Sequence, residues 1–148
     1  EQVDLYELSA SIISRLESVA SQRNITLQLE GKAKAVVGYY GIINEMLYNL
    51  CDNAVKYNKE GGKVIVHIRE EKECVKWSVT DNGIGMKETD LDRIFERFYR
   101  VDKSHSKQIG GTGLGLSIVK HGATCNDAKI SVTSVEGEGS CFTVRFKK

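Results

Sequence analysis

The chain has 148 residues, of which 41% are hydrophobic and 28% charged, and its net charge is +1. That is enough sequence for one domain with its own core, in the ordinary composition of a globular protein. The near-neutral balance argues against a nucleic-acid binder or a membrane-surface protein, and no apolar run approaches the ~20 residues that cross a bilayer.

The opening EQVDLYELSA is acidic and has no signal-peptide pattern. Leu5, Leu8, Ile12, Leu16 and Val19 recur every three or four residues, which predicts an amphipathic helix over 3–20. Ile25–Leu29 alternates and reads as a strand, and 35–37 as a short second one. Ile43, Leu47, Leu50 and Ala54 mark a strong helix over 40–57, stopped by NKEGG. Strands at 63–69 and 74–80 form a hairpin through EEKE, and DNGIGM follows as a loop. A short helix is expected at 89–95, a polar stretch at 96–111 and a helix at 113–124. Strands at 129–134 and 140–147, joined by EGEG, close the chain. Hairpins segregated from helices give an α+β chain: a two-layer α/β sandwich, with a mixed, mostly antiparallel sheet and helices on one face.

Four cysteines, none spaced as C-x-x-C, stand beside only three histidines, which favours reduced thiols in a cytoplasmic domain over a zinc site.

GGTGLGLSIVK (110–120) is a glycine run opening a helix, a setting that suits phosphate. It fails the dinucleotide fingerprint, because Leu116 stands where the third glycine belongs. It also fails the Walker A pattern, because Gly115 is followed by Leu116 and Ser117. The polar segment before it leads in from a loop rather than a strand.

The 40–57 helix carries a second stripe of Glu45, Asn49, Asn53 and Lys56, with Tyr57 at its edge. A solvated face would explain the charges. Two mid-helix asparagines fit it poorly, since each costs roughly half a kcal/mol against alanine. Amide oxygens are neutral metal ligands and a lysine is a point charge for phosphate, which together suit Mg²⁺-nucleotide. Asp81 follows a strand and precedes Gly83 and Gly85, which let backbone approach a flat ligand. A plain strand-end turn explains D-x-G-x-G equally well. A carboxylate there accepts from adenine's amine and repels guanine's carbonyl, so ATP would be chosen over GTP.

In order, NLCDNAVKYN (49–58), TDNGIGM (80–86), RIFERFYR (93–100) and GGTGLGLSIVK (110–120) resemble the four motifs of a sensor histidine kinase. The resemblance is to its catalytic, ATP-binding domain, which has the Bergerat ATPase fold, and it covers nearly the whole chain. It implies one domain over 1–148, with an ATP lid at about 96–112 and no dimerisation or phosphoacceptor domain. It implies Asn53 as the Mg²⁺ ligand, and Asn49, Lys56 and Arg100 as catalytic contacts to metal or phosphate. Tyr57 lies beside the adenine and Asp81 accepts its amine, in a pocket shaped by Gly83, Ile84 and Gly85. Phe95 and Phe98 anchor the lid. Gly111, Thr112, Gly113, Leu114, Gly115 and Leu116 form its hinge and phosphate loop, and Thr143 completes the nucleotide contacts.

The same fold serves gyrase, mismatch-repair and heat-shock ATPases, which place a water-activating glutamate one turn before the Mg²⁺ asparagine. Here that position is Asn49, which cannot take a proton near neutral pH. The nucleophile is therefore expected on a separate helical dimerisation domain, as a histidine followed by an acidic residue. His67, His105 and His121 do not fit that pattern. The expected partners are that helical domain and a downstream response regulator, with no nucleic acid and no direct membrane contact. The expected setting is the cytoplasmic part of a membrane-anchored parent. Two alternatives stand: a nucleotide-binding regulatory module without turnover, and an anti-sigma-type serine kinase.

Departures from the pattern are Gly38-Tyr39 before the second helix, and HGATCNDAK after the fourth motif. Gly122 inside the helix, and Ala128 where a glycine would favour a left-handed end, predict that this helix ends early or irregularly. The segment 101–111 is expected to be the least ordered without nucleotide.

Overall fold

The structure is a computed structural model and describes residues 1–91, 93–96 and 115–148. In chain order the elements are β1 (Gln2–Asp4), α1 (Leu5–Gln22), β2 (Thr26–Gly31), β3 (Ala35–Val37), α2 (Tyr40–Lys56), β4 (Lys63–Glu70), β5 (Cys74–Asp81), α3 (Glu88–Leu91), α4 (Gly115–Cys125), β6 (Ala128–Val135) and β7 (Gly139–Lys147). The expectations for the 96–112 lid, for the order of 101–111, and for Phe98, Arg100, Gly111, Thr112, Gly113 and Leu114 lie outside the described residues.

The main sheet runs β2-β4-β5-β7-β6, parallel between β2 and β4 and antiparallel elsewhere. This is the mixed sheet expected from the hairpin pattern. Val66, Ile68, Trp77, Val79, Val144 and Phe146 share its helix-facing side and are all buried. Against them pack Ile12 and Leu16 of α1 and Ile43, Leu47 and Leu50 of α2. Trp77 is fully buried, and its Nε1 donates to Ser9 Oγ of α1 at 2.9 Å, so the one polar atom of the largest core side chain is satisfied.

Three local departures from the sequence expectation have physical causes. β1 pairs antiparallel with β3, yet its three residues are too few to display an alternation. Asp4 then starts α1 by accepting from the N–H groups of Tyr6 and Glu7 at 2.9 and 3.1 Å. The helix expected at 89–95 is one turn, α3, and 93–96 follow as turns, with Glu96 N–H donating to the Arg93 carbonyl at 2.9 Å.

The third departure corrects the expectation of an early end to α4, which continues through Gly122 to Cys125. A Cβ at Gly122 would stand 2.5 Å from Met46 Cγ, so the glycine is what lets α4 lie close against α2. Asn126 closes the helix by donating to the Gly122 carbonyl and accepting from the Tyr39 N–H, both at 2.8 Å. Tyr39 caps α2 without a side-chain bond of its own, so Asn126 supplies the cap from another element. Asp127, at φ 51°, takes the left-handed turn that Ala128 could not.

Candidate functional site

Asp81 ends β5 on the sheet's helix-facing side, next to the C-terminal end of α2. Its Oδ1 accepts from the Gly83 N–H at 2.9 Å, and the Ser140 N–H also donates to the carboxylate. Burial pushes the carboxyl up to about 6, with those two backbone bonds opposing the rise. A half-buried carboxylate with only two backbone donors has room to accept another.

The loop after Asp81 is held from both sides. Ile84 N–H donates to the Tyr57 carbonyl at 3.2 Å, just past the end of α2. The Ile84 carbonyl accepts from Gly137 N–H at 2.7 Å, in the β6–β7 turn. Met86 N–H donates to Ser134 Oγ at 2.8 Å, and that hydroxyl lies 2.8 Å from Ser140 Oγ. The close approaches of Gly83 and Gly85 are therefore to the protein's own backbone. A Cβ on Gly83 would sit 2.5 Å from the Tyr57 carbonyl oxygen, and one on Gly85 would sit 2.1 Å from that of Val135. The Ile84 side chain is left exposed at the surface of the loop.

Along α2, Asn49, Asn53 and Lys56 are half-buried beside the core-facing stripe, and Glu45 is exposed. Lys56 Nζ pairs with Asp52 one turn back, at 3.0 Å. Partly exposed pairs at this spacing hold only about 0.3–0.5 kcal/mol, so the ammonium is free to exchange Asp52 for a phosphate. Asn49 and Asn53 offer neutral hard oxygens one turn apart. That set suits a cation that takes one or two protein ligands and completes its shell with phosphate and water, as Mg²⁺ does. Among the described residues no group of three or more His, Cys, Asp or Glu forms a metal cage.

Sequence reasoning missed Arg23, in the loop after α1. Its guanidinium donates to the carbonyls of Val55 and Lys56 at 2.7 and 2.9 Å, and also to that of Asn58. These carbonyls lie at and just past the end of α2, that of Val55 already accepting from the Asn58 N–H at 3.3 Å, and a cation there also suits the helix dipole. No local pattern announces it, because the partners are more than thirty residues away. Arg23→Ala is expected to lower stability by about 2–4 kcal/mol. The melting temperature should fall roughly 5–12 °C by calorimetry, and Arg23→Lys should recover only part of it.

The expectation for Thr143 does not fit the geometry. Ser140 stands opposite Asp81 and Thr143 opposite Ser78, three positions away. With a period of two, Thr143 lies on the sheet face turned away from the helices and from Asp81. Ser140 holds the place assigned to it. Leu116 packs at the edge of the core from the first turn of α4, next to Gly115. Phe95 packs edge-on against Phe142, with centroids 6.4 Å apart, and fixes the turn at 93–96 to the sheet.

The two-layer sandwich, with a half-buried carboxylate between α2 and the β6–β7 turn, is a domain of the α+β class. The chain belongs to the histidine kinase-, DNA gyrase B-, and HSP90-like ATPase family, whose profile matches residues 40–148. It is 37% identical over 145 residues to the sensor-like histidine kinase SenX3 of Mycolicibacterium smegmatis, covering 97% of this chain and 38% of that protein. It is 42% identical over 110 residues to the sensor histidine kinase WalK of Bacillus subtilis, covering 72% of this chain and 18% of that one. The chain thus spans well under half the length of these relatives. Among solved structures, the catalytic domain of histidine kinase ThkA superposes with a TM-score of 0.86 at 26% identity, over 100% of this chain and 95% of that one. The motifs, the fold and these relatives agree on the catalytic, ATP-binding domain of a sensor histidine kinase.

Proposed function

We propose that the chain binds ATP with Mg²⁺ and donates the γ-phosphoryl group to a histidine on a separate helical domain of the same kinase. The observation that carries this is Asp81: a half-buried carboxylate with two backbone donors, Gly83 and Ser140, and acceptor capacity left for an exocyclic amine. ShkA, 25% identical and matched over all of this chain and 31% of its own, was solved at full length in complex with AMPPNP, which supports nucleotide binding in this reading.

In this reading Asp81 fixes the adenine, with Ile84 and Tyr57 along it and Ser140 beneath. Asn53 and Asn49 hold the metal, which when bound neutralises phosphate charge. Lys56 leaves Asp52 for the phosphates. The amides at the start of α4, with Gly115 and Leu116 in its first turn, suit the anion. The motifs assign Gly111, Thr112, Gly113, Leu114 and Arg100 to the phosphates as well. Catalysis is then positioning and charge neutralisation, as in other phosphoryl transfers. No base for water stands one turn before Asn53, since that residue is Asn49, so the acceptor arrives on the partner. The downstream partner is a response regulator. The domain lies on the cytoplasmic side of a membrane-anchored parent, with the whole chain forming the catalytic domain.

Titrating ATP with and without Mg²⁺, by calorimetry, tests the nucleotide part. Asn53→Asp is expected to change the Mg²⁺ dependence several-fold while leaving metal-free nucleotide affinity within about twofold. An unaltered Mg²⁺ response removes Asn53 as the ligand.

A further inference from the structure

The sheet has a second face, which no helix among the described residues covers. Its side chains are those that alternate with the buried set. On that face Arg69 stands opposite Lys76, Lys76 opposite Arg145, and Arg145 opposite Lys129. Four cations therefore stand side by side across β4, β5, β7 and β6, in one line perpendicular to the strands. Like charges directly opposite one another destabilise a sheet, so such a row is a cost to the fold. Among the described residues, Arg145 has one ion-pair partner, Glu71 at 3.6 Å, and Arg69, Lys76 and Lys129 have none. Glu71 comes from the β4–β5 hairpin and closes one side of the row. The other side is a band of small hydroxyls, Ser78, Thr143 and Ser131, which runs through His67 to the exposed Glu30 of β2 at its far end.

We propose that this row is a docking surface for an acidic α-helical segment of a partner protein, laid across the strands with its carboxylates in one stripe. The spacing selects the ligand. Neighbouring strands are about 4.8 Å apart, so the four cations span roughly 14 Å. Carboxylates at i, i+3, i+7 and i+10 of a helix recur about every 5 Å and match that line. Same-side residues of an extended acidic strand recur near 6.8 Å and fall out of step. The small hydroxyl band leaves room for the helix to lie close. A single-stranded nucleic acid would need aromatic platforms, and the positions flanking the row carry hydroxyls and His67 instead. A bilayer would favour a broad basic field with apolar side chains to insert, whereas here, among the described residues, the row is joined on this face only by Lys147 beside Arg145, and hydroxyls flank it on the other side. Glu71 occupies the position of an incoming carboxylate and so competes with the ligand.

The test uses a synthetic helical peptide with glutamates in one stripe at these positions, and a second peptide of the same composition with its glutamates spread around the helix. Binding is read by fluorescence anisotropy at low and moderate salt, with ATP affinity measured in parallel. The stripe peptide is expected to bind at least roughly fivefold tighter than the spread one, and more weakly as salt rises. Lys76→Glu with Arg145→Glu should cost roughly tenfold or more, with ATP affinity unchanged. Glu71→Gln should strengthen binding. Equal binding of the two peptides overturns the proposal. So does tighter binding to phosphatidylserine vesicles or duplex DNA than to the stripe peptide, or weaker binding in Glu71→Gln.

Discussion

Asp81→Asn is expected to lower ATP affinity by on the order of 10- to 100-fold and, at the same time, to raise stability at neutral pH. Both follow from one physical fact. The carboxylate is ionised in a recess that disfavours its charge, and its compensating backbone donors are those of Gly83 and Ser140. An asparagine amide still accepts from both through its oxygen, but it carries no charge for the adenine amine, and charge-assisted bonds are about twice as strong as neutral ones. The stability effect has a definite sign. The folded-state value of about 6 lies above the ordinary aspartate value, so Asp81 favours the folded state most when protonated. That contribution is complete below about pH 4 and is lost as pH rises through about 6, by on the order of 2–3 kcal/mol. Wild type and Asp81→Asn should therefore melt together at pH 4, and the variant should melt higher at pH 7. Nucleotide affinity of the wild type should fall as pH drops from 7 towards 5, and that of the variant should not. Equal melting at both pH values would show that the carboxyl is not strained by burial.

Gly85→Ala is expected to be the most damaging single methyl group in the site. Gly85 has φ +66°, a region an alanine enters only at about 1–2 kcal/mol. The added Cβ would also stand 2.1 Å from the Val135 carbonyl oxygen, and backbone cannot swing aside as a side-chain tip does. Overpacking of this kind costs about 1–3 kcal/mol more. The expected total of about 2–5 kcal/mol should lower the melting temperature by roughly 5–15 °C. It should also weaken ATP binding, because the same displacement pulls Ile84 from Tyr57 and Gly137. Gly61→Ala is the matched control: a positive-φ glycine with open space around it, which should cost only the conformational part.

The family was legible in the sequence because four short motifs stand in order, although each alone had a second reading. The two hairpins, β4–β5 and β6–β7, followed from their spacing, whereas the β2–β4 and β5–β7 pairings that order the sheet did not. What stayed hidden depends on contacts between distant segments. Arg23 reaches the end of α2 from the end of α1, and Ser140 rather than Thr143 faces Asp81 only once the register of β5 and β7 is fixed. Asn126 looked like part of an irregular helix end until its bond to the Tyr39 N–H gave it a purpose. The same holds for the cation row: Arg69, Lys76, Lys129 and Arg145 are scattered in sequence and become neighbours only through pairing.

In the proposed reaction, bound ATP gives its γ-phosphoryl group to a histidine on a separate helical domain. The direct measurement incubates the chain with γ-labelled ATP and Mg²⁺, alone and with the helical phosphoacceptor domain of a sensor histidine kinase that it recognises as its own. The expected result is acid-labile phosphate on the helical domain's histidine and none on this chain, with the label lost in Asp81→Asn. Acid-labile label on the isolated chain, acid-stable phosphoserine on any partner, or nucleotide-dependent association with no transfer would each contradict it.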